Sequence, residues 1–345
     1  AGAWVLVILA PASSVIPVAG QPIAEHRMYL PLVALAAGVA VALHRWLGRR
    51  AVVATALVAL VLGAATFARN GDYRDAVALW RDTIEKRPDN ARAHAELGAA
   101  LLEARQTPPA IAALERALRL DPGLAEAHNN LATALHELGR TAEAIPHFAA
   151  ALRLRPGRAG THYNFGHALF ALGRHSEAIA QQRQALLLRP DFPEAECALA
   201  HALDAAGRPG EAIGHFRAAL RLQPNLNAAH FGLANALARQ GRPAEAVAHY
   251  EATLRATPGA VEARYNLGST LLALGRPTEA IPHLRTAVEQ KPDFAEAYNN
   301  LANALALAGD FAAAMRHYET ALRLQPDLAA ARQNLEALRR GPNPR

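Results

Sequence analysis

Along about two-thirds of this chain the apolar positions recur at one fixed interval. From Ala91 to Leu328 the pattern runs through seven units of 34 residues, without insertion or deletion. With Ala91 as place one, place eight is always Gly or Ala, from Gly98 to Ala302. Place twenty is always Ala, from Ala110 to Ala314, and place thirty-two is always Pro, from Pro122 to Pro326. Within a unit, apolar residues at places seven and eleven, such as Leu131 and Leu135, stand four apart and share one face of a first helix. Gly at place fifteen (Gly139, Gly173, Gly207, Gly241, Gly275, Gly309) ends that helix, because a left-handed residue is easiest for Gly. A second helix follows. Pro opens it in three units (Pro209, Pro243, Pro277), and place twenty-four carries a bulky residue: Phe148, Phe216, Tyr250, Tyr318. Small residues at places eight, twenty and twenty-seven let neighbouring helices approach closely, and Pro ends the unit. One unit cannot bury its apolar stripe alone; stacked neighbours can.

The predicted fold is therefore all-α, an array of helix–turn–helix units. Its Leu-Gly/Ala…Leu…Gly…Ala…Phe/Tyr…Ala…Pro pattern resembles the tetratricopeptide repeat family across all seven units. The resemblance implies a right-handed superhelical solenoid whose concave groove takes a protein or an extended peptide. One departure lies at place four, where the family carries its first aromatic. Here stand His94, His128, His162, Glu196, His230 and Arg264, and only Tyr298 is aromatic; this is read as a variation in packing. Upstream, residues 71–90 read as half a unit, with Ala76, Trp80 and Pro88 in register. Downstream, residues 329–345 read as a capping helix, Ala329 to Arg340, and a short tail.

Residues 1–70 follow a different pattern, almost wholly apolar and without repeat. Ala51 to Ala68 is an 18-residue apolar run without charge, long enough to span a bilayer core of about 30 Å. Met28 to Leu47 is a second candidate span, with His44 and Arg45 placed to snorkel at one end. The apolar start, about residues 1–10, is too short to span and lacks the charged flank of a signal peptide, so it reads as the cut end of a transmembrane helix. Residues 11–27 then form an outer loop, and the chain reads as the C-terminal part of a longer membrane protein. Arg45, Arg49 and Arg50 crowd the short loop between the two full spans. The positive-inside rule puts that loop in the cytoplasm and the array on the other side of a bacterial inner membrane. Leu57 to Asn70 also has the pattern of a first helix, so the last span is expected to continue into the half unit beside Trp80.

The strings Pro11-Ala-Ser-Ser-Val-Ile-Pro17 and Ala24-Glu-His-Arg-Met-Tyr-Leu-Pro31 add a second resemblance. They look like the last extracytoplasmic loop of membrane-embedded glycosyltransferases that use lipid-linked sugars and carry C-terminal tetratricopeptide arrays. These are bacterial relatives of the transmembrane and tetratricopeptide-repeat O-mannosyltransferases. In such enzymes the acidic catalytic residues lie in an early loop, which this sequence does not include, so no catalytic residue is assigned. Glu25, His26 and Arg27 beside the membrane boundary admit two readings. Glu25 and Arg27 contact a lipid-carrier phosphate, since Arg suits phosphate geometry, or they form an interfacial charged loop anchored by Tyr29.

Other chemistry narrows the picture. Five of the fifteen His recur at place twenty-three: His147, His215, His249, His283 and His317. One imidazole per unit cannot meet at a shared point about 2 Å away, as zinc requires, so these read as half-packed helix positions and no metal or cofactor is expected. The chain is basic, with formal net charge +6 and pI near 9.9. Its Arg residues recur after the Gly turns and in the last turns of second helices, where the macrodipole favours cations, so nucleic acid is not the expected partner. A lone Cys197 excludes an internal disulfide; at place five it is expected on the concave side, open to thiol reagents. The chain shows no phosphate loop, dinucleotide fingerprint or nucleophile elbow.

The strongest site candidates are Asn130, Asn164, Asn266 and Asn300 at place six, continued by Asn334 in the cap and interrupted by Ala198 and Gly232. A ladder of carboxamides can grip an extended backbone, because each offers donors and an acceptor; the alternative is that they bridge neighbouring units. Two functional readings follow. In one, the array is the acceptor-binding arm of a membrane glycosyltransferase-like protein, with membrane lipid and a lipid-linked sugar as further partners of the parent. In the other, it is a membrane-tethered scaffold for envelope or secretion complexes.

Overall fold

The computed structural model describes residues 75–340, and every helix or strand among them is an α-helix. Both candidate spans, the cut helix, the outer loop with Glu25 and Arg27, and the proposed first helix of the half unit lie outside the described residues. Among the described residues no helix is long and apolar enough to cross a membrane. The chain divides into two compact units, Ala1–Asp89 and Asn90–Arg345. The described part of the first is one helix, α1 (Ala76–Lys86), whose opening N–H groups are met by Asp75 accepting from Val77 N at 2.9 Å.

The second unit holds seven helix pairs and a closing helix. The first helices are α2 (Ala91–Glu103), α4 (Ala125–Glu137), α6 (Ala159–Ala171), α8 (Pro193–Ala205), α10 (Asn227–Arg239), α12 (Val261–Ala273) and α14 (Ala295–Leu307). Their partners are α3 (Thr107–Leu120), α5 (Thr141–Leu154), α7 (His175–Leu188), α9 (Pro209–Leu222), α11 (Pro243–Ala256), α13 (Pro277–Gln290) and α15 (Phe311–Leu324), and α16 (Ala329–Arg340) closes the series. Each first helix packs on its own second helix, and each second helix on the next first helix. The array is thus a solenoid held by local contacts alone.

The repeat places explain the packing. All seven Ala of place twenty, from Ala110 to Ala314, are 0% exposed, so a methyl is all that fits where the two helices of a unit meet. Place twenty-four fills the space beside it and matches place eight. Where place twenty-four is Phe or Tyr, place eight is Ala; where it is Leu or Gln, place eight is Gly. The reason is contact: a Cβ on Gly98 would sit 2.5 Å from Leu114 Cγ, and one on Gly268 2.5 Å from Leu284 Cγ.

The second helices mostly lack a side-chain cap at their N-termini. Instead, in five of the seven, the Arg that precedes the helix forks onto a Glu three residues on: Arg140 Nε and Nη2 donate to Glu143 at 2.8 and 2.7 Å, and Arg174–Glu177, Arg208–Glu211, Arg242–Glu245 and Arg276–Glu279 repeat the pairing. This bidentate geometry, as well as the macrodipole, accounts for the recurring Arg. The pairs are exposed, and their stabilising effect is correspondingly small.

The first helices end in a left-handed turn. At Gly139 φ is 77°, and Arg140 N donates to Leu135 O at 2.9 Å, closing the last turn. The first unit makes the same turn with Arg105 at φ 57°, the sole non-Gly residue with positive φ among those described. A left-handed conformation costs an L-residue roughly 1–2 kcal/mol, against about 0.4–1 kcal/mol for the larger entropy that Gly loses on folding. Arg105→Gly is therefore expected to stabilise the first unit by about 0.5–1 kcal/mol, read as a higher urea midpoint. An unchanged or lower midpoint would show that Arg105 is not strained.

Candidate binding face

Successive first helices touch one another, as α2 touches α4 and α8 touches α10, whereas successive second helices make no comparable contact. The array therefore curves toward its first helices, which form the inner face. Place six lies on this face at the seam between units, and its five Asn are half-buried. Their amides reach back across the seam to place nine of the preceding unit. Asn266 Nδ2 donates to Asn235 Oδ1 at 3.0 Å, Asn300 to Ser269 Oγ at 2.9 Å, Asn334 to Asn303 Oδ1 at 2.9 Å, and Asn164 to Thr133 Oγ1 at 3.5 Å. Asn130 differs: place nine of the first unit is Ala99, which offers no acceptor, and Asn130 Oδ1 instead accepts from Asn129 Nδ2 at 3.2 Å. A carboxamide has two N–H donors and an oxygen that accepts twice. In Asn164, Asn266 and Asn334 the bond across the seam engages one N–H and leaves the oxygen and the second N–H.

Place nine is the functional position that the sequence reading missed. Tyr250 OH donates to Asn235 Oδ1 at 2.7 Å and Tyr318 OH to Asn303 Oδ1 at 2.5 Å, so each Asn of place nine collects a core Tyr and the next unit's ladder Asn. The signal was present: Asn stands at place nine only in the two units with Tyr at place twenty-four.

The ladder breaks at Ala198 and Gly232, and for Gly232 the cause is steric. A Cβ there would lie inside van der Waals contact of the Phe216 ring and 2.9 Å from His201 Cε1. At Ala198 the missing amide helps to open a cleft of about 340 Å³. It is lined by Tyr163, Gly166, His167, Phe170, Gln182, Glu194, Cys197, Ala198, His201, Leu226 and Ala228, from the third, fourth and fifth units. Gln182 replaces the usual Leu, Phe or Tyr of place twenty-four. It is 1% exposed and its Nε2 donates to Tyr163 O at 3.1 Å, while its Oε1 has no partner. His201 meets Phe216 edge-on at 4.9 Å between centroids, and burial lowers its pKa below the usual imidazole value.

Cys197 corrects the expectation of an open thiol. Its place does border the cleft, but the residue is 5% exposed, and burial pushes its pKa up to about 12. Such a thiol is slow toward alkylating reagents.

Three of the five histidines of place twenty-three, His147, His215 and His249, are bonded rather than merely half-packed. Each faces place four across its unit. His147 Nδ1 lies 3.0 Å from His128 Nδ1, His249 Nδ1 3.0 Å from His230 Nδ1, and His215 Nδ1 2.6 Å from Glu196, while His317 stacks on Tyr298 at 5.8 Å. Place four in turn bonds the Pro carbonyl that ends the preceding unit: His128 Nε2 to Pro122 O at 3.2 Å, His162 to Pro156 at 3.0 Å, His230 to Pro224 at 3.0 Å, and Arg264 to Pro258. The departure from the family aromatic is thus a hydrogen-bonded clasp. Because a carbonyl only accepts, His128 donates from Nε2, its neutral Nδ1 accepts, and His147 Nδ1 donates. A second proton on His128 would set two N–H groups against each other.

Geometry of this kind defines a class: a helical repeat solenoid whose open inner face is presented to a partner. Two models of the tetratricopeptide repeat match the chain, one over residues 64–125, 100–159, 197–261 and 265–329, the other over 135–202. The chain belongs to the tetratricopeptide repeat family. No curated protein is similar enough to count as a match. Among solved structures, the chain is similar to YrrB, a TPR protein with an unusual peptide-binding site, at 23% identity and TM-score 0.51 over 55% of this chain and 97% of that one. It is also similar to the APC/C hetero-tetramer Cut9-Hcn1, at 17% identity and TM-score 0.56 over 81% of this chain and 55% of the other. A third likeness is to a tetratricopeptide repeat protein from Parabacteroides merdae, at 15% identity and TM-score 0.51 over 74% of this chain and 97% of that one. These likenesses show the fold.

Burial lowers the pKa of His128, His147 and His249 in the folded array. The unfolded chain therefore takes up protons first, near the ordinary value of about 6.5. Stability is complete above about pH 6.5 and is lost as pH falls from there through the folded pKa values. The melting temperature is expected to drop by several degrees between about pH 7 and 5. Replacing His147 and His249 by Gln should blunt the drop, since Gln181 already serves at this place opposite His162 at 2.7 Å. An identical acid profile in the double variant would exclude the clasps as its source.

Proposed function

We propose that the inner face binds an extended polypeptide, and that the array is the acceptor-binding arm of a membrane-embedded, glycosyltransferase-like protein. The observation that carries the first part is the row of half-buried Asn at place six. A peptide backbone offers N–H and C=O groups at regular spacing. Asn164, Asn266 and Asn334 keep an acceptor oxygen and one N–H for it, with the amide plane already oriented by the bond across the seam. Gripping through amides reads backbone rather than sequence, which suits an arm that presents varied protein acceptors. The second part rests on the Glu25-His-Arg-Met-Tyr-Leu-Pro31 string and the apolar runs before Asn70. In this reading Glu25 and Arg27 contact the phosphate of a lipid-linked sugar donor, the spans meet membrane lipid, and the array lies outside the cytoplasm.

Replacing Asn130, Asn164, Asn266 and Asn300 together by Ala should weaken binding of a fluorescent mixed-sequence unfolded peptide by roughly 2–6 kcal/mol, at about 0.5–1.5 kcal/mol per hydrogen bond. Single variants separate grip from structure. Asn130→Ala, which breaks no bond across a seam, should lower affinity and leave the melting temperature unchanged; Asn266→Ala should lower both. Equal peptide affinity in the quadruple variant would remove the ladder from binding and favour the membrane-tethered scaffold.

Compartment is tested separately. Because Cys197 is buried, the test needs a cysteine at an exposed site such as Ala142. Ala142→Cys should be labelled by a membrane-impermeant maleimide in intact cells. Labelling only after lysis would place the array in the cytoplasm.

A further inference from the structure

The cleft at the break in the ladder differs from the rest of the inner face in chemistry as well as shape. Its floor carries a buried acceptor with no donor, Gln182 Oε1. At its rim stands Glu194, exposed and paired with no cation among the described residues. The rings of Tyr163 and Phe170 and the apolar surfaces of Leu226, Ala198 and Ala228 complete its walls. An acceptor at depth, a carboxylate at the mouth and aromatic walls are together short of one thing, a cationic donor on an apolar stem. An alkyl group would fill the space and leave Gln182 Oε1 unpaired, and an acidic group would face Glu194.

We propose that this cleft receives one long basic side chain, lysine or arginine, of the polypeptide lying along the inner face. The methylene stem packs on Leu226, Ala198 and the aromatic rings, the charged head reaches the Gln182 carboxamide oxygen at depth, and the Glu194 carboxylate attracts the cation from the mouth. The seams with an Asn grip backbone, whereas this one reads a residue and sets the register of the bound chain. Neighbouring cations do not oppose it: no Lys or Arg lines the cleft, Arg189 is engaged over the Phe192 ring, Arg239 is held by Asp204, and burial keeps His201 neutral at ordinary pH. The proposal rests on the reading of the inner face as a peptide-binding surface, and goes beyond it by naming the anchor.

The test uses the full chain and three fluorescent eleven-residue peptides of Ser, Thr, Ala and Asn, identical except for a central lysine, norleucine or glutamate. The lysine peptide should bind about tenfold or more tightly than the norleucine peptide, and the glutamate peptide weakest of the three. The advantage of lysine should shrink to less than about twofold in Glu194→Gln with Gln182→Leu. Leu already occupies this place at Leu114 and Leu284 opposite a Gly, so the variant is expected to fold, and its melting curve checks that. A second readout comes from Cys197, which lines the same cleft: the lysine peptide should slow its modification by a small thiol reagent. Equal binding of all three peptides, still sensitive to the Asn substitutions, would overturn the basic anchor and leave the backbone grip standing. Tightest binding of norleucine, or a Cys197 rate indifferent to the lysine peptide, would overturn it too. Binding of none of them would overturn both this proposal and the reading beneath it.

Discussion

The two helices of every unit meet at the Ala of place twenty, and the contact leaves no accessible surface there from Ala110 to Ala314. That approach is the constraint from which the rest follows. With the helix axes brought this close, the neighbouring space must be shared between places eight and twenty-four, and the shares are complementary: Ala with an aromatic, Gly with Leu or Gln. Overpacking such a core costs typically about 1–3 kcal/mol, so neither place can change alone. Because each unit solves this problem with its own residues and its two neighbours, the solution repeats without any long-range contact.

The seam on the inner face follows from the same spacing. Units stacked at a fixed distance bring place six of one unit within hydrogen-bond reach of place nine of the unit before, four times over. The Asn ladder is therefore part of the architecture before it is part of any site. The two roles are compatible because a carboxamide has more capacity than the seam uses. Where the core aromatic is Phe216, its ring reaches to Gly232 and excludes a side chain, and one unit earlier, at Ala198, the ladder gives way to a cleft with a different character.

The array was legible from its period, because each place carries a residue type with one structural reason: Ala for closeness, Gly for the left-handed turn, Pro for the stop. Arg105 is instructive, since the turn it makes was hidden by the residue yet is built with the same bonds. The site was legible in part. Place six could be read from recurrence, but its partners could not, because they lie 31 residues away in sequence and differ chemically: Thr133, Asn235, Ser269, Asn303. Place four looked like loose packing because its role is a bond to a main-chain carbonyl, and a carbonyl leaves no mark in a residue pattern. Cys197 misled for a related reason. A helical wheel assigns a direction, and exposure along that direction depends on what the neighbouring unit places over it.

The interrupted ladder also gives the array an uneven elasticity. A coil that is pulled straight opens first along its inner edge, where the Asn bonds cross the seams. Four seams resist with such a bond, while those leading into the units of Asn130, Ala198 and Gly232 lack it, and the last of these is tied instead by Arg239 on Asp204. Under load the array would yield first where no such bond crosses, at the seam into the second unit and at the seam into the fourth, while the run from Asn266 to Asn334 stays stiff. The cleft lies at the second of these seams, where a change in curvature would alter its width.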